Sequence, residues 1–277
     1  MKKLKSTKTE LAKDLGISRA MLYYQHKKPA KDLAVKEDVL TVLSDNPAYG
    51  HKRIALELKN NKKKILRIMK KFDIKPFRRR ITRLRKKDDE RKPASIFPNL
   101  VKNICPIRPN VIWASDFSYL YFQGYFVFLA SIKDIFTREI VGWSVSTAHN
   151  EELVISALVN ALANTIKAPD YHHSDQGSEY KSEDYLNILR TNNIQISMSK
   201  KASPHENASK ESFYSHFKLE LGDINRFTNL GELTEAISQA IYYYNNKRIH
   251  TKLKMSPIKF KEQYFLKVTS QSLRQSV

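Results

Sequence analysis

Asp116, Asp175 and Glu211 are three of 28 acidic residues, with 58 residues between the first two and 35 between the last two. Asp116 sits within a β-rich run, WASDFSYL. Asp175 follows a short apolar run in HSDQGSEY, and Glu211 lies in ENASKESFYSHFKLE, which has helical spacing. Two strands and a helix can bring such carboxylates together. Phosphodiester chemistry needs that set, because hard oxygen ligands hold two divalent cations about 3.5–4 Å apart to activate the nucleophile and stabilise the leaving oxygen. Three carboxylates alone carry little weight, so their neighbours decide.

His173 precedes Asp175 by two residues and shares its side of an extended segment, where it can support the carboxylate, touch DNA or simply pack. Gly177 and Ser178 have the character of the turn that delivers Asp175 to a sheet edge. Asn207, four residues before Glu211, and Lys218, two turns after it, fall on one helix face. Asn207 suits orienting a carboxylate or phosphate, and Lys218 suits the DNA backbone. Phe213 and Phe217 lie on a neighbouring face and are expected to pack on the sheet.

The elements around these residues read as follows. Residues 111–120, 124–134 and 138–146 are three β-rich runs with turn signals at Gln123-Gly124 and near Thr137, an antiparallel meander. A helix is expected over 151–163, a strand over 170–173, a helix over 183–190 and a strand over 194–197, then helices over about 205–221 and 232–245. Three strands, helix, strand, helix, strand is the order of a ribonuclease H-like fold, an α/β class with a mixed five-stranded sheet and helices.

Charge divides the chain. It has 277 residues and carries a net +21; residues 1–110 hold 31 Lys plus Arg against 11 Asp plus Glu, whereas the remainder holds 18 against 17. A polyanion is the expected partner, bound mainly through the amino-terminal part. Hydrophobic residues make up 41%, which excludes wholesale disorder. No apolar run reaches the ~20 residues of a membrane span. The basic start lacks the apolar core of a signal peptide, and a single cysteine, Cys105, excludes an internal disulfide; both suit a reducing cytosol, and Cys105 is read as a small apolar residue.

Residues 10–25, ELAKDLGISRAMLYYQ, have a helix-turn-helix pattern, with Gly16 at the turn, Ser18 as N-cap and Arg19, Tyr23 and Tyr24 on the second helix. A plain helical hairpin reads equally well. A second helical unit over 35–72 has an almost purely basic polar face, including Lys63, Lys64 and Arg67, suited to phosphate. Half of residues 59–92 are basic, and the later part, with Arg78, Arg79 and Arg80, reads as an extended linker that contacts nucleic acid. No leucine heptad supports a coiled coil.

The runs WASDFSYL, KDIFTREIVGWSVS, HSDQGSEY, ENASKESFYSHFKLE and YYYNNKRIHTKLKMSPIKF resemble the integrase core of bacterial insertion-sequence transposases, most closely the OrfB products of insertion sequence family three. NPAYGHKRIALELKNN and KKKILRIMKKFDIKP resemble that family's upstream helix-turn-helix segment. The resemblance covers roughly residues 35–262. It implies a helix-turn-helix DNA-binding region over 1–75, a basic linker over 76–108, a catalytic core with C-terminal helix over 109–265 and a tail over 266–277. It also implies that Asp116, Asp175 and Glu211 bind two Mg²⁺ or Mn²⁺ ions.

The implied reaction is DNA cleavage at element ends followed by strand transfer. The implied partners are DNA terminal repeats and target, further copies of the chain to synapse two ends, and an OrfA protein as partner or fusion, in the bacterial nucleoid. Tyr244, Asn245, Arg248 and His250 match the family's Tyr-Asn-x-x-Arg-x-His motif, and Arg248 is expected to touch DNA or support the site. The chain departs from the family at Ala202, Ser203 and Glu206, where Gly, Asn and Asp are common, and at Ser115 and Ser118, which replace threonines. The alternatives are a nuclease that only hydrolyses and a non-catalytic DNA-binding derivative of a transposase.

Overall fold

In the computed structural model, which describes residues 7–22, 28–77, 97–199 and 208–275, the chain forms two compact units, Met1–Phe77 and Arg78–Val277. The first is helical. A capping box starts α1 (Lys8–Asp14): Thr7 Oγ1 accepts the Glu10 N–H, and Glu10 Oε2 accepts the Thr7 N–H at 2.7 Å. Gly16, at φ +63°, turns the chain into the single turn of α2 (Arg19–Leu22). Ala12 is the buried residue of α1, while Leu11, Leu15 and Met21 are exposed. Tyr23 and Tyr24 lie outside the described residues.

The helices α3 (Lys28–Asp45), α4 (His51–Glu57) and α5 (Lys62–Lys71) bury Val39, Val42, Tyr49, Ile54, Ile65 and Ile68 between them. Each such side chain contributes about 1.5–3 kcal/mol of apolar transfer. Asp32 of α3 is buried and joins two turns of α5: Arg67 donates to both its oxygens, at 2.9 and 2.6 Å, and Lys71 donates at 2.7 Å. The hydrogen bonds from Arg67, then Lys71, hold the Asp32 carboxyl far below its ordinary range. A depressed carboxyl stabilises the fold above its unfolded pKa, about 3.9, and that contribution fades as pH falls through the native value. Asp32→Asn is therefore expected to destabilise the chain at neutral pH, with the difference from wild type narrowing in acid; urea unfolding at several pH values measures it.

In the second unit β1 (Ile112–Phe122), β2 (Tyr125–Asp134) and β3 (Ile140–Ser146) form the expected antiparallel meander. Strands β4 (Tyr171–Ser174) and β5 (Gln195–Met198) add in parallel on the other side of β1, giving the order β3-β2-β1-β4-β5. The sheet is covered on both faces. Helix α6 (Glu151–Ala163) turns Leu153, Val154, Ala157, Leu158 and Ala161 onto one face, with α7 (Glu183–Thr191) beside it. Helices α8 (Ala208–Leu221) and α9 (Leu230–Asn246) cover the other through Phe213, Phe217, Leu233, Ile237 and Ile241. This is a ribonuclease H-like fold.

Gly142 lets β3 and α6 meet: a Cβ there would lie 2.5 Å from the Ala157 carbonyl oxygen and 2.5 Å from Ala161 Cβ. Neither backbone can yield locally, so Gly142→Ala is expected to cost about 1–3 kcal/mol by overpacking, read as a lowered denaturation midpoint.

Two expectations change. Residues 266–275, read as tail, continue a helix, α10 (Pro257–Gln275), which packs Phe260 and Tyr264 against Phe136 at ring distances of 5.3 Å. Cys105, read as a small apolar residue, is exposed. Among the described residues no helix is long and apolar enough to cross a membrane.

Candidate active site

Strands β1 and β4 run parallel with Ala114 opposite His173. The pairing ends there; carried two residues on, that register would set Asp116 level with Asp175, which follows β4, with the same side-chain parity. Asp116 is half-buried near the middle of β1, and Asp175 is half-buried just past the end of β4.

A turn orients the Asp175 carboxylate, whose Oδ1 accepts the Gly177 N–H at 3.0 Å. Gly177 does not have a left-handed backbone, and a Cβ there would lie 2.5 Å from Glu179 Oε1, so that carboxylate would have to shift. Glu179 is buried, accepts Ser178 Oγ–H at 3.1 Å and stands 3.4 Å from His149 Nε2. His149 stacks between Phe117 and Phe128, at 4.4 and 5.0 Å, so the Asp175 turn is braced against the residue that follows Asp116.

Helix α8 is pinned to β1 at the same place. Tyr214 donates to the Asp116 carbonyl oxygen at 2.8 Å and shares a 2.8 Å hydrogen bond with Ser131, the residue opposite Asp116 in the β1–β2 ladder. Burial pushes the Tyr214 phenol well above its ordinary pKa, and the nearby Asp116 charge pushes the same way. Tyr180, buried on the opposite face, is raised by burial, by Tyr185 and by Asp116. Glu211 lies in α8 one turn before Tyr214; its side chain is outside the described atoms. Among the described residues no group of three potential metal ligands is complete, and the described part of the site is the Asp116–Asp175 pair.

The other residues singled out from the sequence fall into three groups. His173 is buried, with Nδ1 3.0 Å from Ser197 Oγ, which also accepts the Leu100 N–H. It braces β4 against β5. Lys218 donates to the Tyr119 carbonyl at 2.8 Å, with its ammonium 5.2 Å from the Tyr119 ring.

Arg248 is 2% exposed, paired with Glu220 and set 5.6 Å from the Tyr244 ring. The guanidinium is held in the core by that carboxylate. The same motif's Asn245 exchanges two 2.9 Å hydrogen bonds with the Ile140 backbone of β3. In the first unit Arg19, Lys63 and Lys64 are exposed, Lys64 bonding Asn60 at 3.1 Å, whereas Arg67 is engaged by Asp32. Arg78, Arg79, Arg80 and Asn207 lie outside the described residues.

Tyr214, Glu179 and His149 were not singled out from the sequence. The one local signal was that Tyr214 is three residues from Glu211, on an adjoining turn of the same helix.

An Integrase core domain family model matches residues 106–204, and a second of the same description matches residues 192–257. InsK of insertion sequence element IS150 of Escherichia coli K12 is 31% identical over 273 residues, covering 93% of this chain and 94% of that protein. The transposase InsF of insertion sequence IS3A, also from Escherichia coli K12, is 35% identical over 113 residues, 40% of this chain and 39% of that one. The chain belongs to the IS3-type insertion-sequence transposases.

The fold agrees. A chain of the simian T-cell lymphotropic virus intasome, solved by cryoEM with the PP2A regulatory subunit B56 gamma, superposes with a TM-score of 0.51 at 16% identity. The match covers 80% of this transposase-family chain and 74% of that chain.

Proposed function

We propose that the chain cuts DNA at the ends of an insertion sequence and joins the freed strand to a second phosphodiester. The observation that carries this is the parallel pairing of β1 with β4, which leads to Asp116 on one strand and to Asp175 just past the other, with α8, which bears Glu211, held against β1 by Tyr214. Two hard carboxylate oxygen donors on adjacent strands suit Mg²⁺ or Mn²⁺, and Glu211 completes the set by family resemblance. Such ions, when bound, polarise the scissile phosphate and lower the pKa of a bound water.

The chain's own groups hold the frame. The Gly177 N–H fixes the Asp175 carboxylate, Tyr214 fixes the β1 backbone at Asp116, and Lys218, anchored on the Tyr119 carbonyl, supplies positive charge for a DNA backbone. Each transesterification forms one P–O bond for each it breaks, so no nucleotide energy is needed. The exposed Arg19, Lys63 and Lys64, with Arg78, Arg79 and Arg80, add phosphate contacts whose affinity falls as salt rises. Two ends must be held together, so further copies of the chain, and an OrfA partner or fusion, are part of the reading.

The test is strand transfer on a labelled duplex carrying the element's ends, with Mg²⁺ or Mn²⁺, comparing wild type with Glu211→Gln. Joined products that vanish in the variant while binding persists are expected. Nicking without joining would replace the reading with a nuclease. Binding without nicking, even with the OrfA partner supplied, would replace it with a DNA-binding remnant.

A further inference from the structure

Residues 117–128, FSYLYFQGYFVF, contain seven aromatic residues and no charged one. They form the far end of the β1–β2 hairpin. Strand β4 stops pairing with β1 at Ala114, and β3 pairs with β2 only from Phe128 onward, so beyond those rungs β1 and β2 continue as a two-stranded ribbon. A lone ribbon is marginal in water, yet this one is held firmly.

Its underside, Leu120, Phe122 and Val127, is buried against α8 and α9. Its tip turns through Gln123 and Gly124 at φ +44° and +92°, the primed geometry that matches strand twist, and Gln123 Nε2 donates to the Phe227 carbonyl at 2.8 Å.

The upper face is bare. Tyr119, Tyr121 and Phe126 are 59%, 58% and 49% exposed, and their rings meet edge-on at 5.6 and 5.3 Å. A contiguous apolar patch on a rigid support marks an interaction site. Its neighbours point to the partner. The row starts at Phe117, the residue after Asp116 but, by strand alternation, on the opposite face of β1, the face turned away from α8. The Lys218 ammonium stands over the Tyr119 ring and bonds its carbonyl, placing positive charge at the margin of the rings. That same bond occupies the open edge of β1, which disfavours strand addition by a second copy.

We propose that Tyr119, Tyr121 and Phe126 form a stacking platform for unpaired bases of the bound DNA, with Lys218 taking the adjoining phosphate. Aromatic faces accept any base, so the platform would hold a melted or single-stranded end without reading its sequence. This rests on the transposase reading for its substrate and adds the state of the DNA that the core receives.

The experiment compares full-length wild type with a Tyr119→Ala, Tyr121→Ala, Phe126→Ala triple variant and with a ring-keeping triple, Tyr119→Phe, Tyr121→Phe, Phe126→Tyr. Binding of a short fluorescent oligo(dT) and of a short duplex is measured without metal, at salt high enough to weaken phosphate contacts. The alanine triple is expected to lose oligo(dT) affinity by roughly tenfold or more and to keep duplex affinity, with the ring-keeping triple close to wild type. A 5-bromodeoxyuridine oligonucleotide is expected to crosslink within residues 117–128. Unchanged oligo(dT) affinity in the alanine triple would overturn the platform. So would a wild-type dimer that the alanine triple converts to monomer with oligo(dT) binding intact, because the face would then serve a second copy. A wild type inactive in strand transfer would sink the transposase reading and leave this comparison standing, since it is read without chemistry.

Discussion

Asp116→Asn is expected to leave the chain folded and bound to DNA while lowering strand cleavage and joining by on the order of a thousandfold, the equivalent of about 4 kcal/mol of transition-state stabilisation. The side chain is replaced by an isostere, and what anchors this stretch of β1 is backbone: the Tyr214 hydroxyl bonds the Asp116 carbonyl, and the ladder places Ser131 opposite. The substitution removes a charge and spares the frame. Asp175→Asn should do the same, but with a second effect, because the Asp175 carboxylate also accepts the Gly177 N–H.

A metal-binding readout separates a lost ligand from a damaged fold. Mn²⁺ at about 100 times its Kd should stabilise wild type by about 2.7 kcal/mol and Asp116→Asn by much less, with the metal-free melting temperatures close together. Full joining activity in Asp116→Asn would remove Asp116 from the chemistry.

The local patterns around this site were legible because they are short-range. The β-rich run around Asp116 and the Gln123-Gly124 turn specify a hairpin, and the apolar positions at 153, 157 and 158 specify a helix face, each within one window of sequence. Charged side chains were read less well, since their meaning depends on partners far along the chain. Arg67 looks like part of a basic face until Asp32, 35 residues earlier, is found to hold it. Arg248 reads equally as a DNA contact or a support of the site, and its partner Glu220, 28 residues earlier, is visible only in the fold. Tyr214 escaped notice for the same reason, its partner at Asp116 being 98 residues away. Helix α10 was not read from the sequence, its last turns being mostly polar and giving little apolar periodicity to follow.

The pairing of Glu220 with Arg248 carries the second large expected effect. The two side chains are 12% and 2% exposed, and they join α8, which bears Glu211, to the turn that ends α9. Removing the carboxylate in Glu220→Ala leaves a guanidinium in the core with no counter-charge, which should cost about 3–5 kcal/mol in urea unfolding. Replacing both residues, Glu220→Leu with Arg248→Met, removes the buried charges together and should recover most of that loss, because a buried ion pair offers little over a well-packed apolar pair.

The double variant also discriminates between roles. If Arg248 supports the site only by packing, the refolded double variant joins DNA nearly as well as wild type. If the guanidinium itself touches DNA, the double variant is stable and yet defective in joining. A loss below about 1 kcal/mol in Glu220→Ala would mean that solvent or another group compensates Arg248, and the anchoring of α8 would then rest on Tyr214 and the aromatic packing of Phe213 and Phe217.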